Sequence, residues 1–156
     1  MWKKGSSENT TWDEISNLIP LLSRGDHEIV IGSDSQPFRD GFVIATAICF
    51  LASEKSLNRR FFYERVKHRR RPESLYERIY LETMASVETA QRLRCIREDL
   101  NISVHLDVSP SESRNRTARY TSTMVSIVRG YGIEKVEVKP DSWGASSVAD
   151  RYTKTW

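Results

Sequence analysis

The stretch Ile29-Val-Ile-Gly-Ser-Asp34 places an acidic residue directly after a run of β-branched side chains. Such a run is typical of a buried β-strand. A carboxylate at the end of an apolar run lies beside a core that disfavours its charge, so it requires a compensating partner. The segment Ile102-Ser-Val-His-Leu-Asp107 repeats the pattern further along the chain. If the two strands are adjacent and parallel, both carboxylates lie at the same edge of a sheet.

The length and hydrophobic content of the chain are typical of one globular domain. The chain has 156 residues, of which 38% are hydrophobic, and its net charge of +3 permits an anionic partner without requiring one. Residues 1–10 are polar, so we expect a flexible N-terminal segment followed by a single domain over residues 11–156.

Hydrophobic periodicity predicts an α/β fold. Three strands come first and are expected to pair antiparallel. Helices then alternate with strands, which implies right-handed crossovers and parallel pairing. The sequence therefore predicts a five-stranded mixed sheet flanked by helices. The predicted strands cover residues 28–34, 42–52, 61–66, 101–107 and 134–138, and the predicted helices cover residues 12–22, 74–100, 115–129 and 145–152.

Two further acids occupy helical positions. Glu82 falls on the apolar stripe of the longest predicted helix, in line with Ile79 and Ser86. Asp150 lies on the last predicted helix. With Asp34 and Asp107 they form a set of four carboxylates, which is the ligand chemistry of a divalent cation such as Mg²⁺.

Each acid also has an ordinary structural interpretation. Asp34 and Asp107 suit turns before Pro37 and Pro110, and Glu82 can extend from the edge of its stripe to water. Asp150 can pair with a neighbouring basic side chain on its own helix.

Several residues are candidates for supporting roles. Asp141 and Lys139, just before the last helix, are candidates for the surroundings of a metal site. The basic run Lys67-His-Arg-Arg-Arg71 either is a solvated loop or, if it faces the acids, contacts phosphate. The candidates for nucleic-acid contact are Ser35, Ser109, Arg114, Lys67, Arg69, Arg70 and Arg71.

Other classes of site and location are disfavoured. The two cysteines have no zinc-binding spacing, no serine–histidine triad can be assembled, and Gly32 does not belong to a glycine-rich phosphate loop. No segment resembles a signal peptide or is long enough to span a bilayer, so we expect a cytoplasmic protein without membrane contact.

The order of strands, helices and acids resembles the ribonuclease H-like superfamily over residues 28–154. Within it, three segments look like the YkuK-like family of predicted ribonuclease H-related nucleases. They are Ile31-Gly-Ser-Asp-Ser-Gln36, His105-Leu-Asp-Val-Ser-Pro110 and the stretch from Lys139 to Lys154.

This resemblance implies a function. Asp34, Glu82, Asp107 and Asp150 match the positions of the superfamily's metal ligands, which implies two Mg²⁺ or Mn²⁺ ions. In the leading hypothesis Asp34 bridges both ions, Glu82 and Asp107 complete one site and Asp150 completes the other. The expected activity is hydrolysis of nucleic-acid phosphodiester bonds by a two-metal mechanism. Where many ribonucleases H carry a histidine before the last helix, this chain has Lys139 and Asp141.

Two alternatives remain open. A chain with this fold can be a catalytically inactive nucleic-acid-binding or scaffold module, because fold alone does not determine chemistry. An ATP-handling relative is disfavoured because phosphate-binding loops are missing. RNA, DNA, hybrid and junction substrates, internal and terminal cleavage, and all oligomeric states remain compatible with the sequence.

Overall fold

The computed structural model describes residues 1–22, 27–51, 60–111 and 116–154. It is an α/β fold in which helices flank a mixed sheet. The strands are β1 (Trp2–Lys4), β2 (Asn9–Thr10), β3 (Glu28–Phe38), β4 (Gly41–Leu51), β5 (Arg60–His68), β6 (Ile102–His105) and β7 (Lys135–Glu137). The helices are α1 (Trp12–Leu22), α2 (Leu75–Ile96), α3 (Ala118–Gly130), a π-helix (Gly144–Ala149) and α4 (Asp150–Thr153).

Within the described residues the sheet has seven strands in the order β2-β1-β5-β4-β3-β6-β7. The predicted pairing is present, because β3, β4 and β5 are antiparallel and β6 and β7 add in parallel. The prediction of five strands was wrong, because it omitted β1 and β2. These strands lie in the segment that was expected to be flexible. Strand β1 pairs with the edge of β5, and Trp2 is buried in the main core.

The longest helix begins where the sequence predicts. The Ser74 hydroxyl accepts a hydrogen bond from the Glu77 backbone N–H, which caps the first turn of α2. The helix ends at Ile96, four residues before the predicted Leu100. Buried Ile79, Val87 and Leu93 hold it against the sheet. This packing fixes Glu82 on the side of α2 that faces β3.

The C-terminal segment lies very close to β3. A Cβ atom added to Gly32 would be 2.4 Å from the Ala145 nitrogen, and one added to Gly144 would be 2.8 Å from Val30 Cγ1. Two glycines therefore allow the backbone of the π-helix to approach the strand. The predicted single helix over residues 145–152 is instead a π-helix followed by α4.

No described helix combines the length and the apolar character that a membrane crossing requires.

Candidate active site

Strand β3 sends successive side chains to opposite faces of the sheet. Ser35 faces α2, where its hydroxyl donates to Glu82 Oε1 at 2.5 Å. Asp34 faces the C-terminal helix, where Thr153 Oγ1 donates to Asp34 Oδ2 at 3.2 Å. The predicted strand ends at Asp34, but β3 continues to Phe38, so Asp34 and Ser35 lie within the strand and contact the helices on both faces of the sheet.

Asp34 is the centre of the site. It is only 3% exposed, and burial is the main reason why its pKa rises to about 7. The negative charges of Glu82, Asp107 and Asp150 raise this pKa further. The fold thus brings together the four acids that the sequence singled out, closely enough for three of them to act on the fourth.

Glu82 is 7% exposed, and burial raises its pKa as well. Arg78, one helical turn earlier, lowers this pKa because its Nε lies 3.0 Å from Glu82 Oε1. The same guanidinium reaches Asp34, with an N–O distance of 3.8 Å. Sequence reasoning missed Arg78, although its position four residues before Glu82 on a helix is a recognisable pairing distance.

The other two acids also have basic partners. Lys139 Nζ lies 2.9 Å from Asp107 Oδ1, and Lys154 Nζ donates to Asp150 Oδ2 at 2.6 Å. Lys139, a candidate for the surroundings of a metal site, thus lies beside one of the four acids. Asp141 is exposed, and its charge acts on His105.

His105 links β6 to the π-helix. Its Nδ1 accepts a hydrogen bond from the Gly144 backbone N–H at 3.1 Å, and its ring lies edge-to-face with Trp143. Burial lowers its pKa to about 4, so the imidazole is neutral at pH 7. The sequence offered no metal-ligand spacing for this histidine, and its observed contacts are structural.

The donor chemistry matches a hard divalent cation, since all four acids supply carboxylate oxygens. A cavity of about 10 Å³, enough for one water-sized group, is lined by Glu82 and Asp107. Asp107 Oδ1 is buried there and, within the described residues, accepts no aligned hydrogen bond. However, no three His, Cys, Asp or Glu side chains in residues 1–22, 27–51, 60–111 and 116–154 form a group that could hold a metal ion. Lysine and arginine partners occupy positions around the acids instead.

The hydroxyl groups predicted to contact nucleic acid are engaged within the protein. Ser35 Oγ donates to Glu82 and accepts from Arg78 Nε at 3.0 Å. Ser109 is buried, and its hydroxyl accepts a hydrogen bond from the Ser111 backbone N–H at 3.3 Å. Arg114 lies outside the described residues.

The basic run ends β5 at the same edge of the sheet as the acids. Arg70 forms ion pairs with Glu73 and Glu77, and Arg71 donates to the backbone oxygens of Phe38 and Arg39. Lys67 and Arg69 are exposed. Arg70 and Arg71 therefore help to order the loop before α2.

A groove of about 360 Å³ adjoins the acids. Ser35 and Arg78 belong to both the groove and the acidic cluster. Arg71 adds a second cation, and the remaining wall is largely apolar, formed by Pro37, Phe42, Pro72 and Leu75, with Glu73 and Ser74. The groove therefore ends at the two side chains, Ser35 and Arg78, that contact Glu82.

Comparison with known proteins shows the family of the chain. The model of the Ribonuclease H-like family matches residues 10–154. The Bacillus subtilis (strain 168) protein named "Uncharacterized protein YkuK" is 32% identical over 160 residues, which cover 91% of this chain and 88% of that protein. No solved structure matches the chain. The chain therefore belongs to the ribonuclease H-like family and is similar to YkuK over most of its length.

Proposed function

We propose that the protein is a metal-dependent nuclease that hydrolyses phosphodiester bonds of nucleic acid. The observation that carries this proposal is the gathering of three acids around buried Asp34, whose pKa rises to about 7. Three basic side chains, Arg78, Lys139 and Lys154, are shared among these four acids, so they offset only part of the negative charge beside the core. Perturbed carboxylates are typical of catalytic sites. Membership of the ribonuclease H-like family supports the same chemistry.

Asp34, Glu82, Asp107 and Asp150 would hold two Mg²⁺ or Mn²⁺ ions. When bound, such ions activate water and stabilise the leaving oxygen of a phosphodiester. The basic partners of the acids would then have to move away from them. Arg78, at the junction of the groove and the acids, can transfer its N–H donors to a phosphate oxygen. Ser35 would keep Glu82 oriented through its hydrogen bond.

The test is a cleavage screen of labelled RNA, DNA, hybrid and branched substrates with Mg²⁺, with Mn²⁺ and with a chelator. The wild-type protein should cleave at least one substrate when metal is present. Asp34→Asn and Glu82→Gln should abolish cleavage, whereas Glu88→Gln, an exposed position on the same helix, should retain it. Unchanged cleavage by Asp34→Asn would refute the proposal.

A second function is favoured by a specific observation, namely that each of the four acids has a basic partner in the protein itself. A module that binds nucleic acid without turnover would keep these ion pairs. It should show salt-dependent affinity for nucleic acid and no metal-dependent cleavage across the substrate panel. Metal-dependent cleavage lost in Asp34→Asn would exclude this alternative.

A further inference from the structure

Three of the six tyrosines form an aromatic cluster on the surface. Tyr76 and Tyr80 lie one turn apart on α2, with ring centroids 6.4 Å apart and ring planes 13° from parallel. Tyr120 of α3 meets Tyr76 edge-to-face at 5.3 Å. Tyr76 and Tyr80 nevertheless remain 41% and 38% exposed. The cluster is thus ordered by its own ring contacts while presenting aromatic surface to solvent.

Positive charge accompanies these rings. The Arg119 guanidinium lies 4.6 Å from the centroid of the Tyr120 ring, a cation–π distance. Arg116, just before α3, is also exposed. Aromatic rings combined with arginine are the usual means of binding unpaired nucleotides, because every base offers a π-face and every nucleotide carries a phosphate.

The cluster lies at the same edge of the sheet as the acids. Strands β3, β5 and β6 run in one direction, so their carboxyl ends share that edge. Helix α2 follows β5 and helix α3 follows β6, so both helices begin there. Tyr76, Tyr80 and Tyr120 all occupy the first two turns of their helices. Arg78 lies on these same turns of α2, and Glu82 follows at the start of the third turn, on the side that faces the sheet.

We propose that Tyr76, Tyr80 and Tyr120 form a stacking platform for the unpaired bases of single-stranded nucleic acid. Paired bases within a duplex do not present their faces to such a surface, so the platform selects single strands or single-stranded ends. Arg119 and Arg116 would contact the phosphates of the same strand. The inference that single-stranded nucleic acid is the substrate class rests on the proposed nuclease function. The binding itself requires no turnover.

The test measures binding by fluorescence anisotropy in the presence of a chelator, so that cleavage does not interfere. The probes are end-labelled 12-nucleotide single strands of RNA and DNA and the matching blunt duplexes. Single strands should bind more tightly than the duplexes. The double variant Tyr76→Leu/Tyr80→Leu should lose about tenfold or more in single-strand affinity, because stacking against each ring is removed.

Matched variants separate stacking from other effects. Tyr76→Phe/Tyr80→Phe retains the rings and should keep the affinity. Tyr131→Leu removes an exposed tyrosine just beyond the C-terminal end of α3, and should also bind normally. Melting temperatures of all variants verify that they are folded. Equal affinity for single strands and duplexes, or unchanged affinity in the folded leucine variant, would overturn the proposal.

The result can be told apart from that of the cleavage screen. If single strands bind through the tyrosines but no substrate is cleaved, the platform stands and the nuclease proposal fails. If cleavage depends on Asp34 but the leucine variant binds and cleaves as the wild type does, the nuclease proposal stands and the platform fails.

Discussion

Arg78 Nε lies 3.0 Å from Glu82 Oε1, so a partly exposed cation neutralises an acid that is almost completely buried. The two residues are one turn apart on α2, and the guanidinium extends from Glu82 towards Asp34. Arg78 lowers the pKa of both acids. In the metal-free protein, Arg78 therefore offsets part of the negative charge that a divalent cation would offset.

Replacing Arg78 with glutamine should destabilise the metal-free protein at neutral pH by about 1–3 kcal/mol, since Glu82 loses a charged hydrogen-bond partner. The free energy of unfolding, measured by denaturant titration with a chelator, checks this expectation. Added Mn²⁺ should raise the melting temperature of Arg78→Gln more than that of the wild type. Arg129→Gln, an exposed arginine on α3, is the control and should behave as wild type. An equal Mn²⁺ response in all three proteins would contradict the prediction.

Asp34 makes the stability of the metal-free protein depend on pH. Its pKa is raised from 3.8 to about 7, so within this window the folded state binds a proton that the unfolded state has lost. The contribution of Asp34 to the free energy of unfolding therefore falls as pH rises from about 4 to 7, and it does not change further above pH 7. Asp34→Asn carries no such charge. In the presence of a chelator, the melting temperature of Asp34→Asn minus that of the wild type should therefore increase as pH rises from about 4 to 7. A difference that is the same at pH 4.5 and pH 7.5 would count against the raised pKa.

His105 should have the opposite effect. Burial lowers its pKa from 6.5 to about 4, so the unfolded state binds the extra proton between these values. Stability is therefore lost as pH falls from 6.5 towards 4, by about 3 kcal/mol at most. His105→Asn keeps an acceptor for the Gly144 N–H and should remove this acid sensitivity. Urea titrations at pH 7 and pH 5 measure it, and an unchanged loss in the variant would show that another group is responsible.

Gly32 should tolerate no side chain. The Cβ of Gly32→Ala would lie 2.4 Å from the Ala145 backbone nitrogen, so the π-helix must shift. We expect a loss of about 1–3 kcal/mol in stability and reduced cleavage, because α4 carries Asp150 and Thr153 to Asp34. Gly130→Ala is the control. An added Cβ at Gly130 meets nothing within 4 Å, and alanine is the better helix former, so this variant should be slightly more stable than wild type. A Gly32→Ala protein as stable as Gly130→Ala would refute this account of the packing.

Local patterns in the sequence determined much of the fold. The β-branched run before Asp34 predicts β3, and the spacing of Ser74 and Glu77 predicts the start of α2. Both depend on residues close in the chain. The polar composition of residues 1–10 led to the wrong prediction of a flexible segment. Strand β1 is held by pairing with the distant β5 and by burial of Trp2, and neither contact can be predicted from neighbouring residues in the chain.

By itself, the sequence singled out the candidate acids. Asp34 and Asp107 each follow an apolar run, Glu82 interrupts an apolar stripe, and Asp150 was indicated by its place on the last helix and by the family resemblance. Tertiary structure alone decided how these acids are neutralised. Lys139 meets Asp107 only after β6 and the segment following β7 lie side by side. Likewise, Tyr120 joins Tyr76 only because α3 packs beside α2. Hydrophobic periodicity in the sequence predicts which side of a helix or strand is buried. Contacts between helices and strands depend instead on how they pack in three dimensions.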